Sequence, residues 1–179
     1  MENQDDIAKA WEKFLDPQKL KRSLIEASIF ITAYELLKEE IIDRPKSFFI
    51  YGDENQPESR LEYKKRVKAL HKDTFIASCL WLQNQGAVTS QDVKQIFQIR
   101  EHRDAITHEL PKLIGSTKLQ VDKGLLECLN ELITKISRWW ALEVDVPTNP
   151  HFDHVEVKEE NVQTGSMMFM QVVLRIFKD

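Results

Sequence analysis

Arg103, Asp104, Thr107 and His108 fall within six consecutive residues, inside the run IREHRDAITHEL. Arginine is a permanent cation whose fork of donors suits phosphate oxygens, and histidine moves protons near neutral pH. Cleavage of RNA by its own 2′-hydroxyl needs both: a proton shuttle, and a cation for the charge that develops around phosphorus. That chemistry needs no metal and no cofactor. Asp104 stands four residues before His108, a spacing at which a carboxylate orients an imidazole and raises its pKa. Thr107 offers a hydroxyl to a phosphate oxygen, and Arg100 adds a second cation one turn earlier.

The pattern leading into this run makes Arg103 unusual. At about 100° per residue, Val93, Ile96, Phe97 and Ile99 define a broad apolar face. Continued along the helix, that face becomes Arg100, Arg103, Asp104, Thr107 and His108. Arg103 thus lies on the apolar stripe, flanked by Ile96, Ile99, Ile106 and Leu110. A buried, unpaired guanidinium is costly, so a partner, a groove or a subunit interface is expected at this level. Glu26 and Glu35, on the first long apolar pattern, are acids that could reach it, but the sequence sets no register between the two helices. The plainer account is a solvated helix surface carrying ordinary i, i+4 charge pairs.

Three other groups of residues carry weaker signals. Lys64, Lys65, Arg66, Lys68 and Lys72, with Lys19, Lys21 and Arg22, have the composition of an RNA-backbone footprint. A solvated face, balanced by Glu58 and Glu62, explains them equally directly. His151, Asp153 and His154 are too few for a structural metal site, which usually takes four well-placed ligands. Trp139 and Trp140 are adjacent and cannot share a helix face, so one belongs in the core and the other against the tail or a partner.

The elements that must position these residues read as helices. A leading segment, 5–15, carries Ile7, Trp11, Phe14 and Leu15 at helical spacing. Leu20, Leu24, Ala27, Ile31, Tyr34, Leu37 and Ile41 then form one stripe, with Arg44-Pro45 as its expected stop. Residues 46–58 read as a loop and 62–85 as one long helix that Gly86 ends. Thr89, Ser90 and Asp92 form a capping-box-like start for the helix that carries Arg103, which Pro111 interrupts. A fourth helix spans 123–142. The segments 155–157 and 167–177 read as strands. The expected fold is mainly α: an antiparallel bundle of four to five helices with a small C-terminal β or extended element. It forms one domain over 1–179, with a leading helix (1–17), a bundle (18–143) and an irregular, strand-containing tail (144–179).

Composition agrees. The chain has 179 residues, 42% hydrophobic and 30% charged, with only five glycines, which favours helices over hairpins and Gly-rich phosphate loops. The formal net charge of −4 supplies no general attraction to nucleic acid, so any RNA contact must be a local patch. Two cysteines without a CxxC pair, an acidic MENQDD start and no apolar run of roughly 18–20 residues predict a soluble, cytoplasmic protein with no membrane partner.

An Arg-x4-His motif after an apolar helical segment, with a polar residue following the arginine, resembles the hallmark of HEPN domains. Here the matching residues are Arg103, Asp104 and His108, and the order of helices over 18–143 is similar too. The resemblance implies a helical bundle that dimerises so that two motifs face one another. It also implies a metal-independent endoribonuclease of toxin–antitoxin or phage-defence type, with RNA as substrate and a possible antitoxin or other partner protein. His108 would then act as general acid or base, Arg103 would stabilise the transition state, and Asp104 would orient them. Thr107, Arg100, Lys64 and Lys65 would contact RNA or phosphate. Asparagine is more familiar after the arginine, and Asp104 adds negative charge there. The alternative is a non-catalytic helical module that binds a partner protein or a nucleotide.

Overall fold

The structure, a computed structural model, describes residues 15–50, 57–109 and 120–178. The leading helix expected over 5–15 therefore lies outside the described residues except for Leu15, as do Leu110 and Pro111.

Helix α1 (Pro17–Lys38) opens where Asp16 accepts hydrogen bonds from the amides of Gln18 and Lys19, at 2.9 and 3.3 Å, with proline in the first turn. Ala27, Phe30, Ala33, Tyr34 and Leu37 recur at steps of three and four, and all are buried. The chain does not stop at Arg44-Pro45. A π turn (Glu39–Asp43) leads into α2 (Arg44–Phe49), with Pro45 in the first turn of the new helix. Proline lacks the N–H that would bond the carbonyl four residues back, and the wider π turn absorbs that loss: the Arg44 amide bonds Glu39 O. So of the loop expected over 46–58, residues 46–49 are helix, and 57–58 open the next one.

The predicted helix over 62–85 is two helices. α3 (Pro57–Arg66) gives way to a 3₁₀ turn (Lys68–Leu70) and an extended His71, and α4 (Thr74–Asn84) starts afresh. Asp73 makes the break: its carboxylate caps the amides of Phe75 and Ile76, while its own amide donates to His71 Nδ1 at 3.0 Å. α5 (Ser90–His108) opens with the full capping box of Thr89 and Asp92, and Lys135 pairs with the same Asp92 carboxylate. Asp122 caps α6 (Lys123–Trp140).

Beyond α6 a second π turn (Ala141–Asp145) precedes Pro147, so Asp-x-Pro ends both π turns. Residues 155–158 are extended without forming a strand. The expected strand at 167–177 is instead α7 (Gly165–Lys178). The run is apolar except for Gln171 and Arg175, and their spacing of four fits one face of a helix and one face of a strand alike, so periodicity could not separate the two. Thr164 favours the helix by accepting from the Met167 amide. Among the described residues there is no strand, and none of their helices is long and apolar enough to cross a membrane. The protein is mainly α. Helices α1, α5, α6 and α7 pack on one another, with α4 beside α5 and the first π turn.

A polar knot joins these layers. Glu40, in the first π turn, is buried and accepts from Ser166 Oγ of α7 at 2.6 Å. Arg44 reaches Glu40 at 3.5 Å and Asp145 of the second π turn at 2.7 Å. Burial raises the Glu40 pKa, and the Ser166 and Arg44 contacts only partly oppose it. A carboxyl whose folded pKa is raised favours the folded state most when protonated, and that contribution is lost as pH rises through the folded pKa. Glu40→Gln is therefore expected to unfold at higher temperature than wild type at pH 8. Melting curves should show the gap closing as pH falls toward the ordinary carboxyl range; a constant gap would mean that Glu40 ionisation is not its source.

Candidate functional site

The last two turns of α5 lie against α1 and the start of α4. Arg100 sits over the Phe75 ring at 4.9 Å and approaches Asp73 at 3.7 Å. Burial alone would raise the Asp73 pKa, but hydrogen bonds from the Ile76 and Phe75 amides and the charge of Arg100 bring it below the usual value.

Arg103 has the partners that its place on the stripe demanded. Its guanidinium lies 4.3 Å from the centre of the Tyr34 ring, with the side chain 22% exposed. One terminal nitrogen meets Asp104 at 2.8 Å, and the other approaches Glu35 at 3.9 Å. Nε is buried and has no hydrogen-bond acceptor among the described residues. Glu35 therefore reaches this level from α1, although its nearer partner is Lys38 at 2.7 Å, and Glu26 is engaged by Arg22 at 3.0 Å.

Two expected roles change. The Asp104 carboxylate turns to Arg103, and among the described residues nothing bonds it to His108, so it does not orient the imidazole. The Thr107 hydroxyl donates to Arg103 O at 2.9 Å, the usual back-bond of a helical threonine, so it is not free to donate to a phosphate. His108 itself is exposed in the last turn of α5. Five residues along a helix rotate the direction by roughly 140°, so Arg103 and His108 of one chain do not share the single face expected of them.

Lys64 and Lys65 stand elsewhere, on α3. Lys65 approaches Glu62 at 3.9 Å, and no hydrogen bond, ion pair or ring contact among the described residues links either lysine to Arg103. No group of three or more His, Cys, Asp or Glu among the described residues is placed to hold a metal, and His151, Asp153 and His154 do not converge.

One histidine escaped the sequence reading. His102 packs edge-on against Phe30, with centroids 4.9 Å apart, and its Nε2 accepts the Asp122 amide at 3.0 Å. It thereby ties α5 to the start of α6, in the neutral form with the proton on Nδ1. No spacing rule pointed to it, because its partner is twenty residues away and lies on the backbone. Burial lowers its pKa, and Asp122 only partly opposes that. A lowered histidine pKa means that the unfolded chain binds the proton first. The stability His102 contributes is then complete above the unfolded value near 6.5 and is lost as pH falls toward the folded value. Between pH 7 and 5, wild type should lose more stability than His102→Gln in denaturant titrations; parallel losses would rule out His102 as the titrating group.

Compared with family models, curated proteins and solved structures, the chain matches none.

Proposed function

We propose that this chain is a metal-independent endoribonuclease of the HEPN type, acting in the cytoplasm as a homodimer with Arg103 and His108 at its centre. The observation that carries the proposal is the end of α5. There a guanidinium is fixed by the Tyr34 ring, Asp104 and Glu35, and an exposed imidazole follows five residues later. The cation would hold the scissile phosphate. One imidazole would take the 2′-hydroxyl proton as that oxygen attacks phosphorus, and a second would give a proton to the departing 5′-oxygen. Each chain supplies one His108, directed away from its own Arg103. Two copies facing each other would provide an acid, a base and two cations. A toxin or phage-defence role, with an antitoxin as partner, follows from the family resemblance alone.

A second reading has its own support. Two carboxylates already engage Arg103, and the Thr107 hydroxyl is taken up by the backbone. Both suit a non-catalytic module in which Arg103 is a structural anchor. The deciding experiment is cleavage of total RNA and tRNA by purified protein in chelator, beside Arg103→Ala and His108→Ala. Cleavage by wild type and loss in both variants supports the nuclease. A folded, dimeric wild type that leaves every RNA intact supports the module.

A further inference from the structure

Helix α7 is apolar on both sides. Met170 and Val173 are buried in the bundle, while Met168, Phe169, Val172 and Ile176 face outward, exposed by 50%, 45%, 55% and 52%. Steps of three and four set those four side chains in one stripe. Beside them on α1, Leu24 and Ile25 are also exposed. Between the two helices runs a groove of about 610 Å³, lined by Leu20, Leu24, Ile25, Phe169 and Val173. It continues past Ile25 into a second hollow beside Arg22, Glu26 and Ile176. Gln171 and Arg175 confine the polar part of α7 to one narrow strip, so the outward stripe is apolar where a surface helix normally carries polar residues.

We propose that this α1–α7 face is where a second copy of the chain docks, in a two-fold arrangement. An isologous interface requires a patch that complements itself, and an uncharged apolar stripe does so. The flanking charges have both signs, with Lys21 beside an Arg22–Glu26 pair at 3.0 Å, so a two-fold axis can bring Lys21 of one copy to the Glu26 carboxylate of the other at the rim. Area points the same way. Six half-exposed apolar side chains present on the order of 500 Å², at the upper end of what a monomer normally leaves bare. That is more than half of the roughly 800 Å² per partner in a standard interface, and Gln18, Lys21 and Gln171 can supply the rest as a polar rim.

The face also leads to the site. The groove ends at Thr32 on α1, and Glu35, the acid that approaches Arg103, lies three residues further along, about 4.5 Å of helix rise. The purpose of such a dimer, joining two Arg103–His108 pairs, rests on the ribonuclease proposal; the docking face does not.

Sedimentation of the full chain tests the face. Wild type should be a dimer of micromolar or tighter affinity. Val172→Glu and, separately, Met168→Glu should weaken it by roughly a hundredfold or more, since each places an unpaired charge inside an apolar contact. Leu61→Glu, an equally exposed apolar site on α3, should leave it intact. Hydrogen exchange on wild type provides a readout without mutation: α7 amides should exchange faster on dilution. A monomeric wild type, or a dimer indifferent to both α7 variants, overturns the proposal. So does capture of an acidic helical peptide by a monomer, which would make the groove a site for another protein. RNA cleavage is scored separately: a dimer that splits as expected yet cleaves nothing removes the ribonuclease reading and leaves the face.

Discussion

His108→Ala is expected to lower RNA cleavage by roughly 10²- to 10⁴-fold, the range for loss of a positioned proton-transfer group, and to leave the fold unchanged. The imidazole is exposed in the last turn of α5 and makes no hydrogen bond or ion pair among the described residues, so little packing is lost. Substitutions at such positions usually change stability by no more than about 0.5 kcal/mol. Arg103 behaves differently, because it spans the Tyr34 ring, Asp104 and Glu35. Arg103→Ala should lose both activity and stability, for it removes packing and leaves the Asp104 carboxylate without its cation, while Glu35 keeps Lys38. Arg103→Lys separates the two effects. Lysine keeps the charge but not the fork of donors, so most of the stability should return while phosphate binding does not. Full cleavage by Arg103→Lys would reduce the arginine to a point charge. A folded His108→Ala variant that cleaves RNA like wild type would sink the nuclease proposal at its centre, whatever Arg103 does.

Much of this fold can be read from local patterns. α1, α5 and α6 announce themselves by apolar steps of three and four, and Thr89 with Asp92 marks the start of α5, while the caps at Asp16 and Asp122 come from the structure. Three features resisted for identifiable reasons. Pro45 reads as a stop because its cost in a regular helix is certain, but a π turn lowers that cost, and Arg44 ties that turn to the second through Glu40 and Asp145. The break at Asp73 interrupts neither the basic nor the apolar run of 62–85, and its cap on Phe75 and Ile76 emerges only in the structure. α7 is apolar on both faces, which erases the only period that separates helix from strand. The site divides in the same way. That Arg103 needed a partner followed from its place on the stripe. Which acid answers, Glu35 with Asp104 rather than Glu26, depends on how α1 sets against α5, a tertiary register with no local signature. The i, i+4 rule favoured an Asp104–His108 pair, but a guanidinium one residue away, already steered by Tyr34, is the stronger partner for that carboxylate.

Trp140→Ala should be the most destabilising single change in the bundle, at about 3–5 kcal/mol. Trp140 is buried where both π turns and α4 meet. It stacks on Trp81 at 5.8 Å and 26°, touches Trp139 edge-on at 5.0 Å, and lies under Arg44 at 5.3 Å. Its indole N–H donates to Glu40 O at 3.2 Å, within the π turn, where regular helical bonding is interrupted. Deleting the ring leaves a large cavity and also strips that carbonyl of its donor. Trp140→Phe keeps much of the ring while losing the donor, so it isolates the hydrogen bond, whose removal from a buried acceptor costs about 1–3 kcal/mol. Urea unfolding should therefore rank wild type above Trp140→Phe, and Trp140→Phe above Trp140→Ala, at similar denaturant sensitivity. Against the roughly 5–15 kcal/mol that holds a typical domain folded, the alanine variant should be partly unfolded near body temperature. If phenylalanine proves as damaging as alanine, the indole N–H to Glu40 is what joins the two π turns, and the aromatic stack is secondary. If both variants are nearly as stable as wild type, Trp140 does not anchor this junction, and the Arg44 bridge from Glu40 to Asp145 must hold it instead.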